Sequence, residues 1–182
     1  MTRLTTDKTI SITTTLLDHQ VAKLAALAIG LHLIEAVIPS PLPGVKPGIA
    51  NIVTLYVLYR YDFVTAAWVS LLRVFASSLL FGQFLTPTFM LSLSGAVLSL
   101  LALYFGNYLS KKWFGPISLS LLAAFAHIAA QLVVVRLWLI PNAGVAYLIP
   151  VFALAALIFG TLNGAVTSAL LSSFNQSKFN QE

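Results

Sequence analysis

Apolar residues dominate this chain in long runs, separated by short polar or proline-bearing breaks. The first run covers about Val21 to Ile38 and stops at Pro39-Ser40-Pro41-Leu42-Pro43-Gly44, where three prolines exclude a continuing helix. A shorter run follows, about Ile49 to Tyr59. The third covers about Val64 to Phe81, and the fourth about Phe89 to Leu109, closed by Lys111 and Lys112. Gly115-Pro116 opens the fifth, with proline where the first turn of a helix accepts it. That run extends to about Ile140, Pro141-Asn142-Ala143-Gly144 makes a turn, and the sixth covers about Tyr147 to Leu171. Runs apolar all round, near the ~20 residues needed to span a bilayer, predict transmembrane helices. A membrane β-barrel would instead show alternating segments of ~10 residues. The expected fold is an all-α integral membrane protein, a bundle of about six transmembrane helices. The second run is short for a full span, which predicts a tilted, extended or partly inserted helix.

Composition agrees with the pattern. Of 182 residues, 59% are hydrophobic and only 8% charged, against roughly 25% charged in a soluble domain. Residues 1–20 form a polar, threonine-rich cytosolic leader without the apolar stretch of a signal peptide. Residues 21–172 form the six-helix domain, and residues 173–182 a polar C-terminal tail. With six crossings, Arg3, Lys8, Lys23, Arg60, Lys111, Lys112 and Lys178 fall on one side and only Lys46 on the other. The positive-inside rule then assigns both termini to the cytosol of a multi-pass protein in the cell (inner) membrane. The net charge of +5 fits orientation and lipid contact, and no nucleic-acid partner is expected. The chain has no cysteine, which excludes disulfides and thiolate metal sites.

Ionisable groups at membrane depth cost about 2.5–3.5 kcal/mol each on insertion scales, so each needs a reason. The polar groups at depth here, ionisable or not, are His32 and Glu35 in the first span, Arg73 in the third, His127, Gln131 and Arg136 in the fifth, and Asn163 in the sixth. His32 and Glu35 share a helix face, as do His127 and Gln131. The orientation places these groups, with Lys46, in the middle to outer part of the membrane, which predicts a cavity open to the outside. Its expected substrate-binding residues are Glu35, Lys46, Asn51, Arg73, His127 and Gln131. A structural alternative has Glu35 pair with Arg73, Arg136 snorkel to the interface, and His127 with Gln131 act as interhelical glue. The excess of positive charge points to an anionic ligand.

Small residues form a second pattern. Ala22, Ala26 and Gly30 recur every four residues in the first span, and Ala156, Gly160, Gly164, Ser168 and Ser172 do so in the sixth. Such stripes let helices approach closely, within the bundle or against a partner. No phosphate-binding Gly-rich loop, aspartate pair, metalloprotease motif or nucleophile elbow occurs. No catalytic residue, cofactor or metal site is therefore expected; His32 with Glu35 would supply only two ligands.

The stretch Pro43-Gly44-Val45-Lys46-Pro47-Gly48-Ile49-Ala50-Asn51-Ile52-Val53-Thr54-Leu55 resembles the hallmark of the Gx transporter family, also called heptaprenyl diphosphate synthase component I. Further segments fit in order: Ser70-Leu71-Leu72-Arg73-Val74, Ser78-Leu79-Leu80-Phe81-Gly82 with Leu91-Ser92-Leu93-Ser94-Gly95, and Ala126-His127 with Gln131-Leu132. Ala130 departs from the glycine often found before the glutamine. The family is similar to the substrate-binding S components of energy-coupling-factor transporters. That resemblance implies a six-helix importer subunit for a small, anionic or isoprenoid-related molecule. It also implies partners, a transmembrane T subunit and ATPases, with Ala22, Ala26 and Gly30 as the docking face. The synthase name implies a different role, a non-catalytic membrane accessory subunit of a prenyl diphosphate synthase. A stand-alone proton-coupled carrier using Glu35 and His32 is a third possibility.

Overall fold

The computed structural model describes residues 15–37, 47–109 and 115–179. Lys46, Lys111, Lys112 and most of the leader lie outside this set. Among the described residues there are six α-helices and no strand: α1 (Leu16–Val37), α2 (Ala50–Arg60), α3 (Phe63–Leu80), α4 (Pro87–Leu109), α5 (Pro116–Val134) and α6 (Ile149–Phe179). Five are long and apolar enough to cross a membrane, and α2 is not. The protein is thus a multi-pass membrane protein. Its outward faces carry exposed large apolar side chains, among them Leu27, Trp68, Leu101, Phe105 and Leu162, as a lipid solvent permits.

Helix ends follow local chemistry. Asp62 caps α3, its carboxylate accepting from the Thr65 backbone N–H at 2.7 Å. Hydrogen bonds from Thr65 hold the Asp62 carboxyl below its usual pKa. Pro116 stands at the start of α5. At the other end of α5, residues Val135–Leu139 form a wider turn in which Ile140 N–H bonds the Val135 carbonyl at 2.7 Å. Arg136 lies in this turn and is exposed, so it points away from the bundle. Two boundaries differ from expectation. α1 begins at Leu16, where Asp18 and Thr15 bond reciprocally. α6 continues past Leu171 to Phe179, because nothing in Ser172-Ser173-Phe174-Asn175 breaks a helix.

Three contacts fix the level of α2. Its last turn lies beside the start of α1, where Tyr61 Oη donates to Gln20 Oε1 at 3.0 Å. Arg60 stacks on the Phe174 ring of α6 at 4.7 Å. Its first turn lies beside Asn163, eleven residues before Phe174 on α6. Eleven residues of helix rise about 16 Å, so α2 covers about half of a ~30 Å hydrocarbon core. Its N-terminus therefore starts inside the bundle.

The densest apolar core occupies the half nearest Gln20 and Arg60. It includes Ala28, Val53, Leu55, Val57, Ala66, Val69, Leu103 and Leu119. The other half holds the polar groups. By the positive-inside rule, Lys23 and Arg60 predict that the dense end faces the cytosol. This orientation predicts that a cysteine placed near Asn142 in the cysteine-free chain reacts with an impermeant reagent on intact cells. A cysteine near Lys111 should react only after permeabilisation. External labelling near Lys111 would reverse the assignment.

Candidate functional site

The site is built around the Pro47-Gly48 turn that starts α2. Gly48 has φ of +70°, in the region that favours glycine. Its N–H donates to the Glu35 carboxylate of α1. From the opposite side, Asn163 Nδ2 of α6 donates to the carbonyls of Pro47 at 3.0 Å and Gly48 at 3.1 Å. Glu35 and Asn163 thus clasp the two faces of one peptide turn, and both are buried. Of the Glu35–Arg73 pairing in the structural alternative, only the attraction between the two charges is present: the hydrogen bond of Glu35 goes to Gly48 instead. A carboxylate at the N-terminus of α2 is further favoured by the helix dipole.

Arg73 of α3 is only 5% exposed, and its Nε is buried without a hydrogen-bond partner. Ser77, one turn on, bonds the Arg73 backbone carbonyl at 2.6 Å and leaves the guanidinium alone. On α5, the His127 ring packs against Gly95 of α4. A β-carbon at position 95 would sit 2.6–2.8 Å from three ring atoms. Glycine at 95 is therefore what makes room for the imidazole.

These side chains surround one cavity of about 190 Å3. Helices α1 to α3 supply His32, Glu35, Gly48, Asn51 and Arg73. Helices α5 and α6 supply His127, Gln131 and Asn163, together with an apolar wall of Ile128, Ala155 and Phe159. A second cavity of about 200 Å3 adjoins it through His32, Val74, Thr88 and Ser92, and reaches Gln83. Of the six residues expected from sequence, the structure brings Glu35, Asn51, Arg73, His127 and Gln131 onto one cavity, while Lys46 lies outside the described residues. Sequence reasoning had no role for Asn163 or for the Gly48 N–H. Asn163 stood out as a polar residue at depth, but its partner lies 116 positions away. No group of three or more His, Asp or Glu with metal-binding proximity occurs among the described residues.

The decisive comparison is with protein families. Residues 24–170 match the model of heptaprenyl diphosphate synthase component I, which covers the bundle and every cavity residue named above. The chain belongs to this family. Family membership identifies it as a component that is not itself an enzyme. No curated protein and no solved structure matches the chain.

Proposed function

We propose that this chain is a non-catalytic membrane subunit whose buried polar cavity binds a small anionic molecule. The observation that carries it is Arg73, a guanidinium that is always charged, buried against a cavity and without a partner for its Nε. Glu35 forms no hydrogen bond with it, being engaged by the turn, although its negative charge still attracts the guanidinium.

Two settings use such a subunit. The family description favours an accessory component of a prenyl diphosphate synthase. It is better supported than an importer, whose T subunit and ATPases rest on similarity alone. The cavity favours ligand capture, since a purely anchoring subunit has no use for buried charge. Its volume is about 190 Å3, and it adjoins the second cavity of about 200 Å3. A small anion fits there. Co-purification from native membranes separates the settings: a soluble synthase chain supports the first, ATPases the second, and neither leaves a stand-alone carrier.

The partner surface is proposed on α1. Ala22 and Ala26 are exposed, and a β-carbon on Gly30 would have nothing within 4 Å. Ala26→Leu and Gly30→Leu are expected to abolish partner co-purification while the isolated protein keeps its melting temperature. Unchanged co-purification with both substitutions would remove α1 from the interface.

A further inference from the structure

Below the ligand cavity, on the side of the dense core, lies a small separate chamber of about 20 Å3. Asn51, Ala124 and Asn163 belong to the walls of both. Four hydroxyls line the chamber from four helices: Thr54 of α2, Ser70 of α3, Ser99 of α4 and Ser120 of α5. Its remaining lining includes Leu55 and Leu103, two of the most deeply buried side chains in the protein.

Hydroxyls in membrane helices usually satisfy themselves on the carbonyl three or four residues back. Ser77, Ser78, Ser94, Thr161 and Thr167 do so here. The four chamber hydroxyls do not, and Thr54 Oγ1 is buried with no partner at all. Thr54 is 4%, Ser70 3% and Ser120 4% exposed. Burying an unsatisfied hydroxyl is costly, so Thr54 Oγ1, with three more hydroxyls lining the same small chamber, calls for a guest. A guest that both donates and accepts suits them best, because each hydroxyl has a proton and lone pairs to offer. A cation only accepts lone pairs, and Arg73 stands one turn from Ser70 on the same helix. A volume of about 20 Å3 suits a single water, which needs about 10–15 Å3 and two to four polar partners.

We propose that Thr54, Ser70, Ser99 and Ser120 form an internal water-binding site beneath the ligand cavity, tying α2, α3, α4 and α5 together at mid-bundle. This goes beyond the proposed function and does not depend on any ligand. The test is the sign of a melting-temperature change in the purified full chain in lipid nanodiscs. Thr54→Val keeps the shape and removes the hydroxyl. If water is held there, the melting temperature falls by about 3 °C, because a bridging partner is lost. If Thr54 faces a dry void, the substitution removes an unsatisfied group, and an unchanged or raised melting temperature overturns the proposal. Should Thr54→Val fail to fold, Ser120→Ala carries the same sign test. Wild-type stability is expected to be equal in sodium chloride and choline chloride at one ionic strength. A sodium-specific rise that Thr54→Val abolishes would overturn the proposal in favour of a cation.

Discussion

Arg73→Ala is expected to lower ligand occupancy more than tenfold, the equivalent of over ~1.4 kcal/mol. The readout is the anionic metabolite retained by protein purified from native membranes, quantified by mass spectrometry against wild type. The expectation follows from burial: a guanidinium with an unpartnered Nε in a cavity wall gains far more from an anion than an exposed one does, because the low dielectric strengthens the attraction. The same substitution removes a desolvated charge but leaves the buried Glu35 carboxylate without its opposite charge, so the apo-protein should lose some stability while remaining folded. That split, weaker binding with intact folding, separates a ligand-binding arginine from a structural one. Glu35→Ala acts through another contact. It frees the Gly48 N–H and loosens the start of α2, so it lowers stability as well as binding. If the Arg73→Ala, Glu35→Ala double substitution restored normal occupancy, the two residues would be a structural pair and the anion site would be lost.

What could be seen in sequence, and what could not, divides along physical lines. The five long helices were legible because a bilayer demands unbroken apolar runs, and their bounds agree with the observed ones to within a few residues at most ends. The cavity side chains were legible for the converse reason. A charge in an apolar span is costly enough to mark itself, and Arg73, His127 and Glu35 did so. The depth of α2 was not legible. It is set by Asn163 holding two backbone carbonyls from a distant helix, and backbone groups carry no sequence signature. The same holds for Glu35, whose partner is a peptide N–H rather than the arginine that charge alone suggested. Gly95 is a third case: its service to the His127 ring appears only once α4 and α5 are placed side by side.

The two small-residue stripes looked alike in sequence, and the structure separates them, with substitutions expected to act in opposite directions. On α6, a β-carbon at Gly164 would lie 2.5 Å from the Ile117 Cα and 3.1 Å from the Pro116 carbonyl oxygen. Gly160 meets Leu121 and Ala124 of the same helix α5 at 3.1–3.2 Å. The obstacles at 164 include backbone, which cannot swing aside, so relief requires α5 and α6 to move apart along one of the most extensive packings in the bundle. Overpacking costs about 1–3 kcal/mol where side chains can adjust, and Gly164→Ala belongs at the upper end. A fall in melting temperature of about 10 °C is expected at 2–4 °C per kcal/mol, or no recoverable protein. On α1, Gly30 meets nothing within 4 Å. Gly30→Ala adds no clash and removes glycine's conformational freedom in the unfolded chain, so the melting temperature should hold or rise slightly. Measuring both variants side by side in one detergent tests the assignment of faces. Equal losses would mean that α1 is packed as tightly as α6, and the proposed partner surface would then be internal.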